Sequence, residues 1–400
     1  MNSIKLQTLL ISIFFLVTII GFFIYYFISP DKDQSVLENR QLVKRPDFTL
    51  ESFATGEYSK RFETYYNDQF PIRESFVESN ALIERNVFRQ DVYDDVYIAD
   101  DGYLLSKVER GTLESAKGVA KSINNFAEDM GKLNVTVYTA IMPNKSTMMQ
   151  DKFPTYFQSY GQENMDLLFK ELSKVANPID SRDYLEKHMD EDHMFYYTDH
   201  HWQAKAAFYA YQNVMSYIFD KEDMNEQVYT YQDYNWELKG KPFIGSDARK
   251  TTSVNAEISD QIMVATLKEQ TEPFVMKWGT KMRKGLYEYS FLDMEDPYTN
   301  RYQAYLGGDY ANLSIHNDEN ENRDNILVIK DSYANAFVQF LAPHYRETHV
   351  IDLRHYKGKA IREYVKEHDI KHILLLNNVN SIYVTPALTS FNNPGQGENQ

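Results

Sequence analysis

The strongest hydrophobic signal in the sequence is one long apolar segment near its N-terminus. Residues 9–28 are almost unbroken hydrocarbon, and no charged residue occurs between Leu6 and Pro30. At a rise of 1.5 Å per residue, such a helix spans about 30 Å, the thickness of a bilayer core. A cleaved signal peptide has a shorter apolar run and small residues at its cleavage site, which this segment lacks. The pattern therefore predicts a retained transmembrane signal-anchor over residues 1–30.

The charges that flank this segment indicate its orientation. Lys5 precedes it, and Asp31, Lys32 and Asp33 follow it. The bias is small, but the positive residue before the segment favours a cytoplasmic N-terminus. Residues 31–400 are then expected outside the cell, in a single-pass protein of the cell membrane. The chain contains no cysteine, so its export requires no oxidising machinery, which is typical of a bacterial surface.

Beyond residue 90 the pattern alternates between strands and helices. Residues 92–105 alternate around Asp101-Gly102, a strong hairpin signal. Apolar runs typical of buried parallel strands occur at 135–142, near 178–180, and at 326–330, 348–353 and 372–376. Helical periodicity occurs at 113–126, at 163–175, from His200 to Ile218, and at 333–341 and 359–368. This alternation predicts a three-layer α/β/α domain with a mostly parallel sheet.

The remaining segments surround or interrupt this domain, which is predicted over residues 91–390. Residues 31–90 contain polar-aromatic stretches and few strand-like runs, which indicates a stalk with linker helices. Residues 225–320 are dense in Tyr, Trp and charge without a helical period, which predicts a β-rich insertion. The tail, residues 391–400, is predicted to be disordered.

The composition excludes several functional classes. With 58 acidic and 42 basic residues, the formal net charge is −16, which argues against binding of nucleic acid or anionic lipid. The absence of cysteine rules out Cys-ligated zinc, iron–sulfur clusters and Cys nucleophiles. No GxGxxG or P-loop motif is present, and no cofactor is expected. The high aromatic content, 14%, suits stacking on sugar rings or reflects a biased genomic composition.

A candidate nucleophile stands where a predicted strand runs directly into a helix. In the segment NILVIKDSYANAF, Ser332 follows the strand and precedes the helix. Its hydroxyl is therefore expected at the carboxyl edge of the sheet, close to helix N–H groups that stabilise an oxyanion. The alternative interpretation is that Asp331 or Ser332 only caps the helix.

A candidate base and its carboxylate lie in the segment YYTDHHW, just before another predicted helix. A serine nucleophile needs a base, and the base needs a carboxylate to fix its tautomer. Asp199 and His201 supply both only if the local chain is not yet helical, because residues two apart in a helix face different sides. The same cluster also fits a metal site, although HExxH spacing is absent, or a solvated cluster without function.

TDHHW, followed further along the chain by KDSYANAF, resembles the DHHW protein family. That family is related to the SGNH-hydrolase-like alginate O-acetyltransferases. Five shorter segments are also similar, so the resemblance covers roughly residues 35–380: ENRQL (38–42), DQFPIRES (68–75), YIADDGYLL (97–105), PNK (143–145) and VIDLRHY (350–356). It implies an SGNH-hydrolase-like α/β domain that is circularly permuted, since Asp and His precede Ser in the chain.

Matched position by position, the resemblance implies a catalytic triad of Asp199, His201 and Ser332, with His200 as the alternative base and no metal ligand. One position departs from the family pattern. The nucleophile block is usually Gly-Asp-Ser, whereas this chain has Lys330 before Asp331 and Ser332. Without that glycine, the candidate oxyanion donors are the backbone N–H groups of Ser332 and Tyr333.

Weaker candidates follow predicted strands at the same sheet edge. Arg354 is a candidate clamp for a carboxylated sugar, or an ordinary surface arginine. Asn377 and Asn378 are candidate donors to a sugar or an oxyanion, with loop capping as the alternative. Lys145 is a candidate contact for an acidic polymer, or a solvated side chain.

Together these features favour a membrane-anchored, extracellular O-acyltransferase that O-acetylates a surface or exported polysaccharide. Because acetyl-CoA is absent outside the cell, the resemblance implies a membrane-bound O-acyltransferase as the partner that donates the acetyl group. One alternative is a carbohydrate esterase that uses the same triad on water. Another is a non-catalytic polysaccharide-binding scaffold with a decayed triad, which would hold if Ser332 and His201 lay beyond hydrogen-bond distance.

Overall fold

The structure is a computed structural model that describes residues 3–35, 40–268, 273–392 and 394. The described chain divides into two compact units. One contains the residues up to Asp91 together with Arg249–Asn255, and the other contains the remainder. Of the predicted disordered tail, residues 393 and 395–400 lie outside the described residues, as do the first two residues of ENRQL. Phe391, the first residue of that tail, is instead buried and stacked on Phe126.

The elements are numbered along the chain. The helices are α1 (Ser3–Ile28), α2 (Leu50–Ala54), α3 (Glu57–Asp68), α4 (Arg73–Asn86), α5 (Leu113–Gly131), α6 (Lys145–Met148), α7 (Gly161–Glu171), α8 (Arg182–Glu186), α9 (Ala204–Lys221), α10 (Ser246–Thr251), α11 (Ala334–Leu341), α12 (Ile361–Glu367) and α13 (Val379–Val384). The strands are β1 (Gln34–Ser35), β2 (Arg40–Gln41), β3 (Val92–Tyr93), β4 (Val96–Ile98), β5 (Leu104–Ser106), β6 (Thr136–Met142), β7 (Pro178–Asp180), β8 (Tyr234–Phe243), β9 (Asp260–Leu267), β10 (Phe274–Trp278), β11 (Lys281–Lys284), β12 (Asn312–Asn317), β13 (Asn325–Lys330), β14 (Glu347–Ile351) and β15 (Ile370–Asn378).

The N-terminal unit carries the predicted apolar helix. Within α1, residues Lys5–Ile28 have a mean hydropathy of 2.5, and by length and composition they are able to cross a membrane. The helices α2, α3 and α4 follow it, in the segment where the sequence predicts linker helices.

The larger unit is built on an eight-stranded sheet of order β11-β10-β12-β14-β13-β15-β6-β7. The five strands from β14 to β7 are mutually parallel, whereas β12, β10 and β11 extend the sheet as antiparallel strands. The predicted parallel sheet is therefore present, and part of the region predicted as an insertion adds strands to its edge. The strands β8 and β9 pair as a separate antiparallel ribbon.

Helices cover both faces of this sheet, because its central strands bury apolar residues on each side. In β13, Ile326 and Val328 face one core, in which α9 and α11 are packed. Leu327 and Ile329 face the other core, where apolar residues of α5, α7 and α12 lie. The structure thus confirms a three-layer α/β/α domain.

The predicted hairpin is present, whereas the start of one helix differs from the prediction. The strands β4 and β5 pair as antiparallel neighbours on either side of Asp101-Gly102, with Ile98 opposite Leu104. A second, two-residue turn joins β3 to β4, where Asp94 and Asp95 adopt positive φ. Helix α9 begins at Ala204 rather than near His200. The reason is that residues 195–202, called here the Asp–His loop, close on themselves through an antiparallel bridge between Phe195 and Trp202.

Candidate active site

Ser332 lies in the turn between β13 and α11, at the carboxyl edge of the parallel sheet. The strand ends at Lys330 and the helix begins at Ala334, so the turn is only three residues long. Ser332 is half-buried, and no side-chain hydrogen bond caps the helix at Tyr333. The Ser332 hydroxyl is therefore not a helix cap but lies 2.8 Å from His201 Nε2.

His201 joins this hydroxyl to the carboxylate of Asp199. The distance between His201 Nδ1 and Asp199 Oδ1 is 2.6 Å, and the His201 backbone N–H donates to the same oxygen at 3.0 Å. Both side chains are buried, with 4% of each residue exposed. In this network a proton on Nδ1 is held by the carboxylate, which leaves Nε2 free to accept the serine proton. The irregular Asp–His loop makes this possible for residues only two apart.

The Asp199 carboxylate is held in its ionised form. Burial by itself would raise its pKa, but the imidazoles of His201 and His200 and the N–H of Ser246 hold the pKa well below its usual range. The Ser246 N–H donates to Asp199 Oδ2 at 2.9 Å. Gly245 allows this approach, since a Cβ there would lie 2.3 Å from the Asp199 Cβ. Sequence reasoning missed both residues.

A buried lysine anchors the backbone of the Asp–His loop. Lys145 Nζ donates to the carbonyl oxygen of Asp199 at 2.7 Å and to those of Tyr196 and Tyr197 at 3.1 and 3.2 Å. Its charge is paired with Asp247 at 3.0 Å. Only 1% of Lys145 is exposed, so neither the predicted contact with an acidic polymer nor a solvated side chain is correct. Its amine can be buried because three carbonyl oxygens and the Asp247 carboxylate take the place of the water molecules that would otherwise hydrate it.

A second carboxylate secures the same loop from another side. Asp260 accepts hydrogen bonds from the N–H groups of Tyr197 and Thr198, at 2.8 and 2.7 Å. Burial raises the pKa of Asp260 to about 6, although these hydrogen bonds oppose the shift. The Thr198 hydroxyl in turn accepts from the Gly245 N–H at 2.8 Å.

Aromatic side chains connect the Asp–His loop to the serine turn. The Tyr302 ring is stacked on the His201 imidazole, with 3.8 Å between centroids and 10° between planes. Trp202 Nε1 and the Tyr302 hydroxyl both donate to the carbonyl of Tyr333, at 2.9 and 3.2 Å. The Tyr333 hydroxyl donates to the carbonyl of His200 at 2.8 Å. Tyr302 was not identified from the sequence, since it lies in the region without a regular period.

The structure revises the candidate oxyanion donors. The Tyr333 N–H donates to Asp331 Oδ1 at 3.0 Å, so it is not free to hold an oxyanion as the sequence predicts. Across the described ranges, the Ser332 N–H has no hydrogen-bond partner and stays a candidate donor. Asn377 is also buried, and its Nδ2 lacks a partner among the described residues. Asn378 instead donates to Asp331 Oδ2 and caps α13, as the alternative interpretation expected.

Arg354 follows β14 at this sheet edge, where the sequence placed it. Its guanidinium pairs with Asp352 and, at 2.9 Å, with Asp309, and these carboxylates raise its pKa against the effect of burial. Lys330, in place of the family glycine, is 1% exposed and lies 2.6 Å from Asp309. Both cations are therefore neutralised by acids of this chain, which argues against a clamp for a sugar carboxylate.

Two clusters in the described part of the chain bring ligand atoms close enough for a metal ion. In the first, Asp199, His200 and His201 offer atoms within 4.8 Å of one another, but both ring nitrogens of His201 already face Asp199 and Ser332. In the second, Asp309 and Asp352 already pair with Lys330 and Arg354. The first arrangement suits proton transfer, and the second suits charge compensation.

A serine at a strand–helix turn is here joined to a buried His–Asp pair at the carboxyl edge of an α/β sheet, an arrangement known in hydrolases of several unrelated folds. Residues 96–262 match the family model of the SGNH hydrolase-like domain of the acetyltransferase AlgX. The chain thus contains a domain of this type, and the predicted resemblance is confirmed. The matched segment includes Asp199 and His201 and ends before Ser332.

Solved structures show the same fold. Bacillus cereus PatB1, in a structure with a sulfonyl adduct, is 24% identical, with a TM-score of 0.63 over 75% of this chain and 99% of PatB1. A DHHW family protein from Eubacterium siraeum is 20% identical, with a TM-score of 0.60 over 74% of this chain and 93% of that protein. Comparison of the sequence with curated proteins found no match.

Proposed function

We propose that the protein is a serine-dependent O-acyltransferase that transfers acetyl groups to a polysaccharide. The observation that carries this proposal is the continuous hydrogen-bond chain from Asp199 through His201 to Ser332 at the carboxyl edge of the sheet. A non-catalytic scaffold does not require this series of hydrogen bonds. The 2.8 Å separation of Ser332 Oγ from His201 Nε2 also argues against a decayed triad. The match to an acetyltransferase family model supports acyl transfer as the reaction.

The proposed reaction has two halves. Ser332 Oγ attacks the carbonyl carbon of an acetyl donor while His201 Nε2 takes the serine proton, and the imidazolium then protonates the departing donor oxygen. Asp199 keeps the imidazole in the required tautomer and stabilises its positive charge. In the second half, a sugar hydroxyl attacks the acetyl-serine, its proton passes to His201, and collapse of the tetrahedral intermediate returns that proton to Ser332. The products are free enzyme and an O-acetyl sugar.

The proposed location follows from α1. As a retained anchor with a cytoplasmic N-terminus, this helix leaves the catalytic domain outside the cell, where acetyl-CoA is absent. A membrane-bound O-acyltransferase is therefore the proposed source of the acetyl group. If the anchor is retained, the protein stays in membranes after salt and alkaline washes and keeps its N-terminal segment. A soluble form that begins near residue 29 would contradict this part of the proposal.

One experiment separates transfer from hydrolysis. The purified full chain in detergent is incubated with 4-nitrophenyl acetate, with and without oligosaccharide acceptors, and acetate and O-acetyl sugar are quantified. Acetyl sugar that requires Ser332 supports the transferase, whereas release of acetate alone would make the protein an esterase. Mass spectrometry after treatment with a sulfonyl fluoride is expected to find the adduct on Ser332. If neither acetate nor O-acetyl sugar is formed and no adduct is found, the results would favour the non-catalytic scaffold.

A further inference from the structure

Exposed apolar side chains are concentrated in the N-terminal unit, beyond α1 itself. Among the described residues, more large apolar side chains are exposed within residues 43–88 than within the whole of residues 92–400. Exposed apolar surface of this density marks a contact with another molecule or with a membrane. Ile72 and Phe76 belong to this set and lie where α3 turns into α4. We propose that residues 69–76, called here the apolar corner, insert into the bilayer leaflet at the C-terminal end of α1.

The depth of the apolar corner follows from its packing on Phe22. The rings of Phe70 and Phe76 lie 5.8 and 5.9 Å from the Phe22 ring, measured between centroids. Phe22 belongs to Lys5–Ile28, the part of α1 that is able to cross a membrane. The helix continues for about 9 Å beyond Phe22 before it ends at Ile28. Side chains in contact with Phe22 therefore lie at the depth of the hydrocarbon, not in the water beyond Ile28.

Hydrogen bonds fix the apolar corner to the residues that follow α1. The Lys32 N–H donates to Gln69 Oε1 at 2.8 Å, and the Gln69 amide donates to the Lys32 carbonyl at 2.9 Å. The Tyr65 hydroxyl donates to Asp31 at 2.8 Å, and its ring packs on that of Tyr26, one turn of α1 beyond Phe22. Tyrosines next to charged groups are typical of the boundary between lipid and water. This polar layer thus lies one helical turn closer to water than the rings of the corner.

Ile72 is unfavourable in its position if the corner faces water. The residue is 46% exposed, and its φ of 56° lies in the left-handed region. A β-branched residue rarely adopts this conformation, which a turn in water ordinarily assigns to glycine or asparagine. Both the exposure and the backbone of Ile72 therefore disfavour isoleucine. Contact with lipid removes the cost of exposure, because the side chain is then covered by hydrocarbon.

The backbone of the corner suits a medium that offers no hydrogen bonds. Pro71 has no N–H group, so it has no donor to satisfy. The carbonyls of Phe70 and Ile72 accept from the N–H groups of Arg73 and Phe76, both at 3.2 Å. Backbone groups that enter hydrocarbon need such partners within the protein.

The surface of α1 indicates lipid as the occupant, in preference to a second copy of the chain. Phe23 and Phe27, on the face of α1 next to Phe22, are exposed and contact lipid once the helix crosses a bilayer. The apolar corner continues this surface, because its rings pack on the same helix. At its polar edge, Lys32 and Glu74 pair at 3.6 Å and neutralise each other. The contact therefore rests on apolar burial and requires no anionic lipid.

This inference rests on the proposed retention of α1 as a membrane anchor, but not on acyl transfer. The test uses the full chain in vesicles of phosphatidylcholine. Because the chain contains no cysteine, one introduced cysteine carries a single nitroxide spin label. The label is placed at Ile72→Cys, at Phe23→Cys as the reference within α1, and at Leu113→Cys as the control. Leu113 lies in the larger unit and is 47% exposed, almost the same fraction as Ile72.

Electron paramagnetic resonance measures the collisions of each label with oxygen, which concentrates in lipid, and with a nickel chelate, which stays in water. The oxygen-to-nickel ratio at Ile72→Cys should approach that at Phe23→Cys and exceed that at Leu113→Cys by at least about fivefold, since hydrocarbon excludes the chelate. A label at Phe76→Cys, where 50% of the residue is exposed, should give the same result. Circular dichroism of each labelled protein checks that the fold is retained.

Three other outcomes would overturn the proposal, and each identifies a different cause. Equal nickel accessibility at Ile72→Cys and Leu113→Cys would show that the corner lies in water. Low accessibility to both oxygen and nickel at Ile72→Cys would show that a protein surface, such as a second copy of the chain, covers it. A nickel-accessible label at Phe23→Cys would contradict both the anchor and the corner. The acyltransferase proposal is not affected by any of these results, because it is tested by product formation.

Discussion

The ring of Tyr302 lies parallel to the imidazole of His201, with 3.8 Å between their centroids. The two residues are about a hundred positions apart in the sequence, and Tyr302 belongs to the region predicted as an insertion. Its hydroxyl donates to the carbonyl of Tyr333, directly after the serine. One side chain therefore restrains both the proposed base and the nucleophile turn, and the inserted region contributes to the site.

Substitution of Tyr302 is expected to separate these two contacts. Tyr302→Phe keeps the stacked ring and loses one hydrogen bond, so acetyl transfer should fall less than about fivefold, for a net loss near 1 kcal/mol. Tyr302→Leu removes the stack and should lower kcat by about a hundredfold, because the imidazole is no longer held against Ser332. Steady-state kinetics with an acetyl ester measures both. Equal losses in the two variants would show that the stack has no positioning role.

The triad itself makes a stronger prediction. Ser332→Ala and His201→Ala should each reduce kcat by about a thousandfold or more, and the double variant should lose little more, since the residues act as a unit. Asp199→Ala should reduce kcat less than either of these substitutions, because Asp199 orients the base without touching the acyl group. His200→Ala tests the alternative base. Its side chain is 43% exposed and faces Ser246, so most activity should remain.

The fold of Ser332→Ala serves as the control for that series. Since the Ser332 hydroxyl caps no helix, the free energy of unfolding of the variant should differ from that of the wild type by no more than about 0.5 kcal/mol. Loss of a helix cap would instead lower it by ~1 kcal/mol. Chemical unfolding followed by circular dichroism measures this difference. A correctly folded and active Ser332→Ala variant would show that Ser332 is not the nucleophile. An inactive His200→Ala variant together with an active His201→Ala variant would show that His200, not His201, is the base.

How far the sequence predicts this site depends on how local each signal is. Asp199, His201 and Ser332 were identified because each stands at the junction of a strand or loop with a helix, and β13 was evident from its apolar run. Tyr302 and Gly245 were missed because only the tertiary fold brings them to the triad. Lys145 was placed correctly at the end of β6, but its charge predicted solvent exposure, whereas the carbonyls it meets come from a distant loop.

Lys145 is expected to act as a positioning residue for the Asp–His loop. Lys145→Met leaves Asp247 buried and unpaired, which should cost about 3–5 kcal/mol of stability. The double variant Lys145→Met/Asp247→Asn should recover part of that stability, but its kcat should stay low because the loop carbonyls still lack their donor. KM for the acceptor should not change in either variant. A normal kcat in both variants would show that the Asp–His loop keeps its geometry without this amine.

Acid sensitivity of the fold is expected from a different histidine, His344. This residue is 7% exposed, and its Nε2 lies 2.7 Å from the hydroxyl of Tyr211, which also accepts from the Tyr229 N–H. With the Tyr229 N–H on one of its lone pairs, this hydroxyl still carries a proton that it can donate to Nε2 of a neutral imidazole. Glu226 lies 3.9 Å from Nδ1, but its carboxylate is paired with Arg323. Burial, together with the charge of Arg323, lowers the pKa of His344 to about 3.

The folded-state pKa of His344 lies below its unfolded value of about 6.5, so the unfolded chain binds more protons as the medium becomes acidic. The stability contributed by neutral His344 is complete above about pH 6.5 and is lost as the pH falls toward 3. From pH 7 to 5 this loss is about 2 kcal/mol. His344→Gln keeps an acceptor for the Tyr211 hydroxyl and cannot titrate. Between pH 7 and 5, the free energy of unfolding of this variant should therefore fall by about 2 kcal/mol less than that of the wild type. Urea unfolding at pH 7, 6 and 5 measures both slopes, and identical slopes would show that the pKa of His344 is the same in the folded and the unfolded protein.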